Sequence, residues 1–335
     1  MLQLCQPTER RKFFDCRSGR GGVRHSMTIA TIDVGTNTVF MLVATIAEDG
    51  SVTPLYEEKR IVRVGEGVDA TGRVGEAAIR RLCEALLEYR RLAQEYGATR
   101  IIIGATSASR DAGNQAELIA DVRRETGLDF EILSGEAEAK WTFRGAISVL
   151  TDIDGTCAVL DIGGGSTEIV VGDTTGELTY HRSLNIGALR LTERFFSALP
   201  PGRAEIERAE ALIARVLDEA DCPLHSAWPL IGAAETTGAL ALVRGGVASW
   251  DALDASTVAI TADEVHHWRS RLLRATADEV LALNPAVLKD RADVFPASVL
   301  ILDSVMQRFG LPVCRVSPRG LRHGLALRFA AQNPQ

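Results

Sequence analysis

Asp161-Ile-Gly-Gly-Gly-Ser-Thr-Glu168 is the stretch on which the fold turns. Apolar runs flank it at residues 157–161 and 168–172, so it reads as strand, tight turn, strand. Three successive glycines leave backbone N–H groups free to converge on an anion, with no Cβ in the way. Gly163, Gly164 and Gly165 are therefore candidate phosphate ligands, with Ser166 and Thr167 adding hydroxyl donors. Asp161 and Glu168 bracket the turn as hard oxygen donors. Mg²⁺ takes one or two such carboxylates together with phosphate oxygens and water, which makes this pair the candidate metal ligands.

A weaker copy of the pattern stands near the start of the chain. Asp33-Val-Gly-Thr-Asn-Thr38 lies between apolar runs at residues 28–33 and 39–47. Gly35 opens the turn, Thr36, Asn37 and Thr38 offer donors, and Asp33 is placed to touch a metal or orient its water. Behind each copy the order repeats. Helical spacing of apolar residues over 76–96 precedes a buried strand at 100–105, a helix at 114–126, a strand at 130–133 and a helix at 136–149. The second half restarts with strands at 157–161, 168–172 and 178–184, helices at 189–198 and 200–220, and a strand at 229–233. It then reads as largely helical to a last strand at 311–316 and a closing helix at 320–331. Two halves that both open on strand, Asp-[Val/Ile]-Gly, small polar residues, strand imply a duplication. The expectation is two α/β domains facing each other across a cleft. Residues 27–138 form the first and 139–320 the second, with the closing helix within 321–335 packing back on the first.

Two further segments carry chemistry. Ala105-Thr-Ser-Ala-Ser-Arg-Asp-Ala-Gly113 follows a buried strand, where α/β proteins gather ligands, and Arg110 offers a fork suited to phosphate. Ser134-Gly-Glu-Ala-Glu-Ala-Lys140 opens a helix, with Ser134 as its N-cap. Glu136 fits a first-turn carboxylate that favours the helix dipole. Glu138 lies near the domain junction, where it could deprotonate a water aimed at phosphorus. Spacing alone does not choose between the two.

Composition sets the outer bounds. The 335 residues are 46% hydrophobic and 24% charged, with a formal net charge of −7, which argues against broad nucleic-acid binding. No apolar run approaches the ~18 residues of a membrane helix. The six cysteines, at 5, 16, 83, 157, 222 and 314, form no CxxC pair, which fits a reducing cytoplasm. Residues 1–26 have no apolar stretch of a secretory signal and are expected to be a disordered extension.

Together these motifs resemble the exopolyphosphatase/guanosine pentaphosphate phosphohydrolase (Ppx/GppA) family, of the acetate and sugar kinase, heat-shock chaperone and actin superfamily. The resemblance covers residues 28 to 330 and is most specific at Asp161–Glu168. Asn185-Ile-Gly-Ala-Leu-Arg-Leu-Thr-Glu, Arg291-Ala-Asp-Val and Gly320-Leu-Arg-His-Gly-Leu follow in the family's order. The resemblance implies two actin-like (ribonuclease H-like) domains. It implies Glu138 as catalytic base, Arg110 as a phosphate-binding catalytic residue, and Mg²⁺ near Asp161 and Glu168. It also implies phosphate loops at 33–38 and 163–167, inorganic polyphosphate or guanosine pentaphosphate (pppGpp) as substrate, and a homodimer. Water would attack a terminal phosphoryl group, with positioning and charge stabilisation supplying most of the catalysis.

Three departures stand out. Phe40 occupies the place of an Arg in the first loop, removing a phosphate contact. Ala234-Glu-Thr236 replaces Gly-Gly-Thr, which recharges or narrows the cleft wall and spoils the adenosine site of the superfamily's kinases. The C-terminal HD domain of longer family members is absent, as in the short exopolyphosphatases. A short exopolyphosphatase is the leading expectation, and a pppGpp phosphohydrolase the second. A kinase is disfavoured by the altered Gly-Gly-Thr. A non-catalytic polyphosphate or alarmone sensor is disfavoured by the intact set of Glu138, Asp161 and Glu168.

Overall fold

Continuous apolar runs, buried on both faces, place the first strands. β1 (Met27–Val34) and β2 (Thr38–Ile46) are rich in β-branched residues and pair antiparallel around the first turn. The computed structural model describes residues 26–249 and 257–333. The expected extension at 1–25, with Cys5 and Cys16, lies outside the described residues. The first half continues with β3 (Val52–Ile61), α1 (Val68–Thr71), α2 (Glu76–Glu95), β4 (Arg100–Ala105), α3 (Ser107–Asp111), α4 (Gln115–Thr126), β5 (Glu131–Ile132) and α5 (Gly135–Ile147). The second half holds β6 (Thr156–Ile162), β7 (Thr167–Asp173), β8 (Leu178–Leu184), α6 (Ala188–Phe195), α7 (Arg203–Glu219), β9 (Leu230–Ala233) and α8 (Ala234–Gly245). It closes with β10 (Ala259–Thr261), α9 (Ala262–Leu272), α10 (Ala277–Leu283), α11 (Pro285–Leu288), α12 (Phe295–Arg308), β11 (Val313–Val316) and α13 (Leu321–Gln332).

The duplication is written in the strand order. The first sheet runs β3-β2-β1-β4-β5, and the second runs β10-β11-β9-β6-β7-β8. In each, three antiparallel strands meet a parallel extension beside the strand that leads into the Asp-Gly turn. The chain thus folds around the expected pair of α/β sheets. The short α3 and the three-residue β10 were not separately read from sequence, because neither is long enough to show a period. The second half is otherwise largely helical, as its spacing suggests.

Helices cover both faces of each sheet. In the first, Ala30, Ile32, Val34, Met41 and Val43 pack with Ile79, Leu82 and Leu86 of α2 and Leu118 and Val122 of α4. The opposite face, Ile29, Leu42, Ala44 and Ile46, is closed by Ala326 and Ala330 of α13. In the second, α5 brings Ala139, Phe143 and Ala146 onto Cys157, Val159, Val170 and Ile231. The domain boundary expected between residues 138 and 139 therefore falls inside α5, a helix that packs on the second sheet.

The chain crosses between the domains before α5 and again before α13, and the two crossings touch. A Cβ on Gly324 would lie 1.8 Å from the Trp141 carbonyl oxygen, and one on Gly145 would lie 2.1 Å from that of Gly320. Glycine at both positions is what lets α5 and α13 approach backbone to backbone. Ser317 Oγ ties the junction by donating to Ala146 O at 2.8 Å.

Candidate active site

The β1–β2 and β6–β7 turns are packed on each other. A Cβ on Gly164 would lie 2.8 Å from Asn37 Cβ, and one on Gly165 would lie 2.6 Å from Thr36 Oγ1. The glycine run is thus needed for close approach between the domains. Each turn is closed by its own backbone: Gly35 N–H donates to Thr38 O at 3.1 Å and Gly163 N–H to Ser166 O at 2.9 Å. Among the described residues, the amides of Thr36, Asn37, Gly164, Gly165 and Ser166 make no other backbone hydrogen bond. Buried beside them, Asn37 Oδ1 has no partner. Unspent amides on two facing turns are the donor set an anion can use.

Both turns line one cavity of about 70 Å³, small against the 300 Å³ or more of a pocket for a drug-sized ligand. Asp33, Glu138, Asp161, Glu168 and Glu235 share its wall. Asp161 and Glu168 are opposed in the β6–β7 ladder, so both carboxylates fall on one sheet face. Glu168 Oε1 accepts from Ser166 Oγ and Ser183 Oγ, each at 2.7 Å. Among the described residues no group of three or more His, Cys, Asp or Glu is arranged to hold a metal ion.

Burial, with like charges added for Asp33, Asp161 and Glu138, shapes their ionisation. Burial, reinforced by Glu168 and Glu235 and opposed by Arg322, pushes Asp33 up to about 7. Burial, then the charges of Glu168 and Asp33, raises Asp161 well above the usual carboxylate range. Glu168 is also raised by burial, against the hydrogen bonds from Ser183 and Ser166. Glu138 is raised well above its ordinary value by burial and by Glu168, with Arg110 opposing.

Glu138 sits in the first turn of α5, capped by Ser134, whose Oγ accepts from Ala137 N–H at 3.2 Å. Glu136 of the same turn is exposed, whereas Glu138 is 7% exposed and faces the cavity. Arg110 Nη1 donates to Glu138 Oε2 at 2.7 Å and to Leu133 O at 3.1 Å. The guanidinium expected to grip phosphate is therefore engaged in holding this carboxylate.

The structure brings Asp33, Gly35, Thr36, Asn37, Thr38, Gly163, Gly164, Gly165, Ser166, Asp161, Glu168 and Glu138 to the cavity wall. Thr167, grouped with the phosphate ligands from sequence, is not brought there. It is fully buried and its Oγ1 donates to Ile186 O at 2.6 Å. Strand alternation explains this correction: Thr167 is the first residue of β7, so it points opposite to Glu168.

Sequence reasoning did not assign a site role to Glu235, Arg291, Lys59 or Arg322. Glu235 lies on the cavity wall and accepts from Thr38 Oγ1 at 2.6 Å, from Lys59 Nζ at 3.3 Å, and pairs with Arg291 Nη1 at 3.0 Å. Arg322 stands with its guanidinium carbon 5.1 Å from the centre of the Phe40 ring. It is also bound to Glu57 Oε2 at 2.5 Å. A cation thus lies over the residue that replaces the loop Arg, supplied from α13. The available signal was that Glu235, Arg291 and Arg322 all fall within motifs or departures already marked.

The profile of the Ppx/GppA phosphatase family matches residues 42–332. Exopolyphosphatase 2 of Mycobacterium tuberculosis is 33% identical over 316 residues, covering 90% of this chain and 98% of that protein. The crystal structure of a family member from Aquifex aeolicus superposes with a TM-score of 0.74 at 29% identity, covering 92% of this chain and 99% of that one. An exopolyphosphatase from Cytophaga hutchinsonii gives a TM-score of 0.81 at 26% identity, covering 91% and 98%. Among the described residues no helix is long and apolar enough to cross a membrane.

Proposed function

The chain belongs to the Ppx/GppA phosphatase family and hydrolyses phosphoanhydrides, and on that premise we propose that it is an exopolyphosphatase. Its reaction would release orthophosphate from the end of an inorganic polyphosphate chain. The observation that carries this reading is the small cavity in which two donor-rich turns meet the buried carboxylate of Glu138. A cavity of that size suits a terminal phosphoryl group, and the likeness to named exopolyphosphatases favours inorganic polyphosphate as its source.

The roles follow from the chemistry of each group. Amides of Thr36, Asn37, Gly164, Gly165 and Ser166 bind and orient the terminal phosphoryl oxygens. Glu138 accepts a proton from the attacking water, and its raised basicity makes it a stronger acceptor once ionised. Arg110 acts through Glu138, fixing its orientation and favouring its charged form. The donor set fits Mg²⁺, because Asp161 and Glu168 supply two hard carboxylates on one face, crowded by further negative charge that a dication would relieve. When bound there, Mg²⁺ would neutralise charge on the transferring phosphoryl group.

Phosphate release from polyphosphate and from pppGpp, measured side by side with Mg²⁺, tests the assignment. Turnover of polyphosphate well above pppGpp supports it. The reverse ranking would make the protein a pppGpp 5′-phosphohydrolase. Release from neither, with binding intact, would make it a sensor.

A further inference from the structure

Glu235 binds groups on both sides of the cleft. Thr38 Oγ1, from the first phosphate turn, donates to it at 2.6 Å, and Lys59 Nζ, from β3 of the same domain, at 3.3 Å. Arg291, from the second domain, pairs with it at 3.0 Å. Arg291 is 3% exposed and lines the cavity, and neither its Nε nor its Nη1 makes a hydrogen bond, so it meets Glu235 as an ion pair alone. A hydroxyl donor, an ammonium and a buried guanidinium around one point are the partners a phosphate group takes. Here a carboxylate of the chain already holds them, at the position where the sequence departs from Gly-Gly-Thr.

We infer that Glu235 is a built-in competitor for the substrate: its carboxylate occupies the subsite of the phosphate next to the one being cleaved, and it determines how long a chain the enzyme accepts. The inference deepens the exopolyphosphatase reading and rests on it. Burial would raise Glu235, but Arg291, Lys59 and the Thr38 bond outweigh that and hold it near 2, so it remains an anion at every working pH. An entering phosphate must displace it or sit beside a like charge. A single terminal phosphoryl group in the turns does not meet this obstacle, whereas the phosphate that follows it in a chain does. Affinity should therefore rise less with chain length than it would in a cleft with free cations.

Calorimetric binding of inorganic triphosphate without divalent cation tests this apart from turnover. Glu235→Gln keeps the shape and a hydrogen-bonding group but removes the charge. It should bind triphosphate about tenfold more tightly than the wild type, the scale of one like charge removed near an anion. With Mg²⁺, its ratio of kcat/KM for long over short polyphosphate should rise. Equal or weaker triphosphate binding by a variant that melts near the wild-type temperature overturns the inference. Lys59→Met provides the second arm, should Glu235→Gln fail to fold. If Lys59 passes from Glu235 to phosphate, triphosphate affinity falls severalfold; unchanged affinity overturns the proposal. Lack of phosphate release by the wild-type protein would defeat the exopolyphosphatase reading and leave these binding comparisons readable.

Discussion

For Glu138 as the proposed general base, two requirements conflict. A general base must be ionised to act, yet burial and the neighbouring Glu168 favour its neutral form. Arg110 is the group that counters them, at 2.7 Å. Replacing Glu138 by Ala should lower kcat by about 10²–10⁴-fold, the usual contribution of a general base, with little change in KM. Steady-state phosphate release measures both, and a kcat near wild type would remove Glu138 from this role. Arg110→Met removes a positive neighbour, so the carboxyl rises further and the acid limb of the kcat–pH profile moves to higher pH. An acid limb that stays in place, with KM raised instead, would return Arg110 to the phosphate.

Among elements, the contact between α5 and α13 is the least tolerant of change. Gly324→Ala would drive a methyl into the Trp141 carbonyl, and relief requires the helices to part. Overpacking of this kind costs about 1–3 kcal/mol, so the melting temperature should fall by several degrees, and activity should fall with the altered domain angle. Thermal melts and phosphate release on the same preparation check both. The hairpins, α2 and α4 were legible because their signals are local: apolar runs around a polar turn, helical spacing, and Gly127, whose positive φ of 67° closes α4. Contacts made at long range were not legible. Nothing near Phe40 in sequence announces Arg322, and nothing near Glu235 announces Lys59. Thr167 was misgrouped because a motif was read as a set of donors, while the strand's two-residue period sends alternate side chains to opposite faces.

For the whole molecule, the cluster of acids at the cleft couples stability to pH and to cations. A carboxyl whose folded pKa is raised contributes stability that is complete below its unfolded value and is lost as pH rises through its folded value. For Asp33 that loss spans the interval from near 4 to about 7, and Asp161, Glu168 and Glu138 act in the same direction. Melting temperature should therefore fall between pH 6 and pH 8 in chelator. Mg²⁺, if held by the ionised carboxylates as proposed, should raise it more at pH 8 than at pH 6. Scanning calorimetry at the two pH values measures this, and an equal Mg²⁺ effect at both would separate the metal from these groups.

The placement of α13 has a consequence for the order in which the protein can be completed. Thr31 Oγ1 of β1 donates to Arg322 O across a separation of 291 residues, and Ala326 and Ala330 close the sheet face formed by Ile29, Leu42, Ala44 and Ile46. A growing chain emerges from the ribosome with its first domain lacking that cover. The N-terminal sheet stays open on one side until the second domain has been translated, so the domain that starts first finishes last. Such a chain depends on holding an apolar surface out of aggregation during most of its own synthesis.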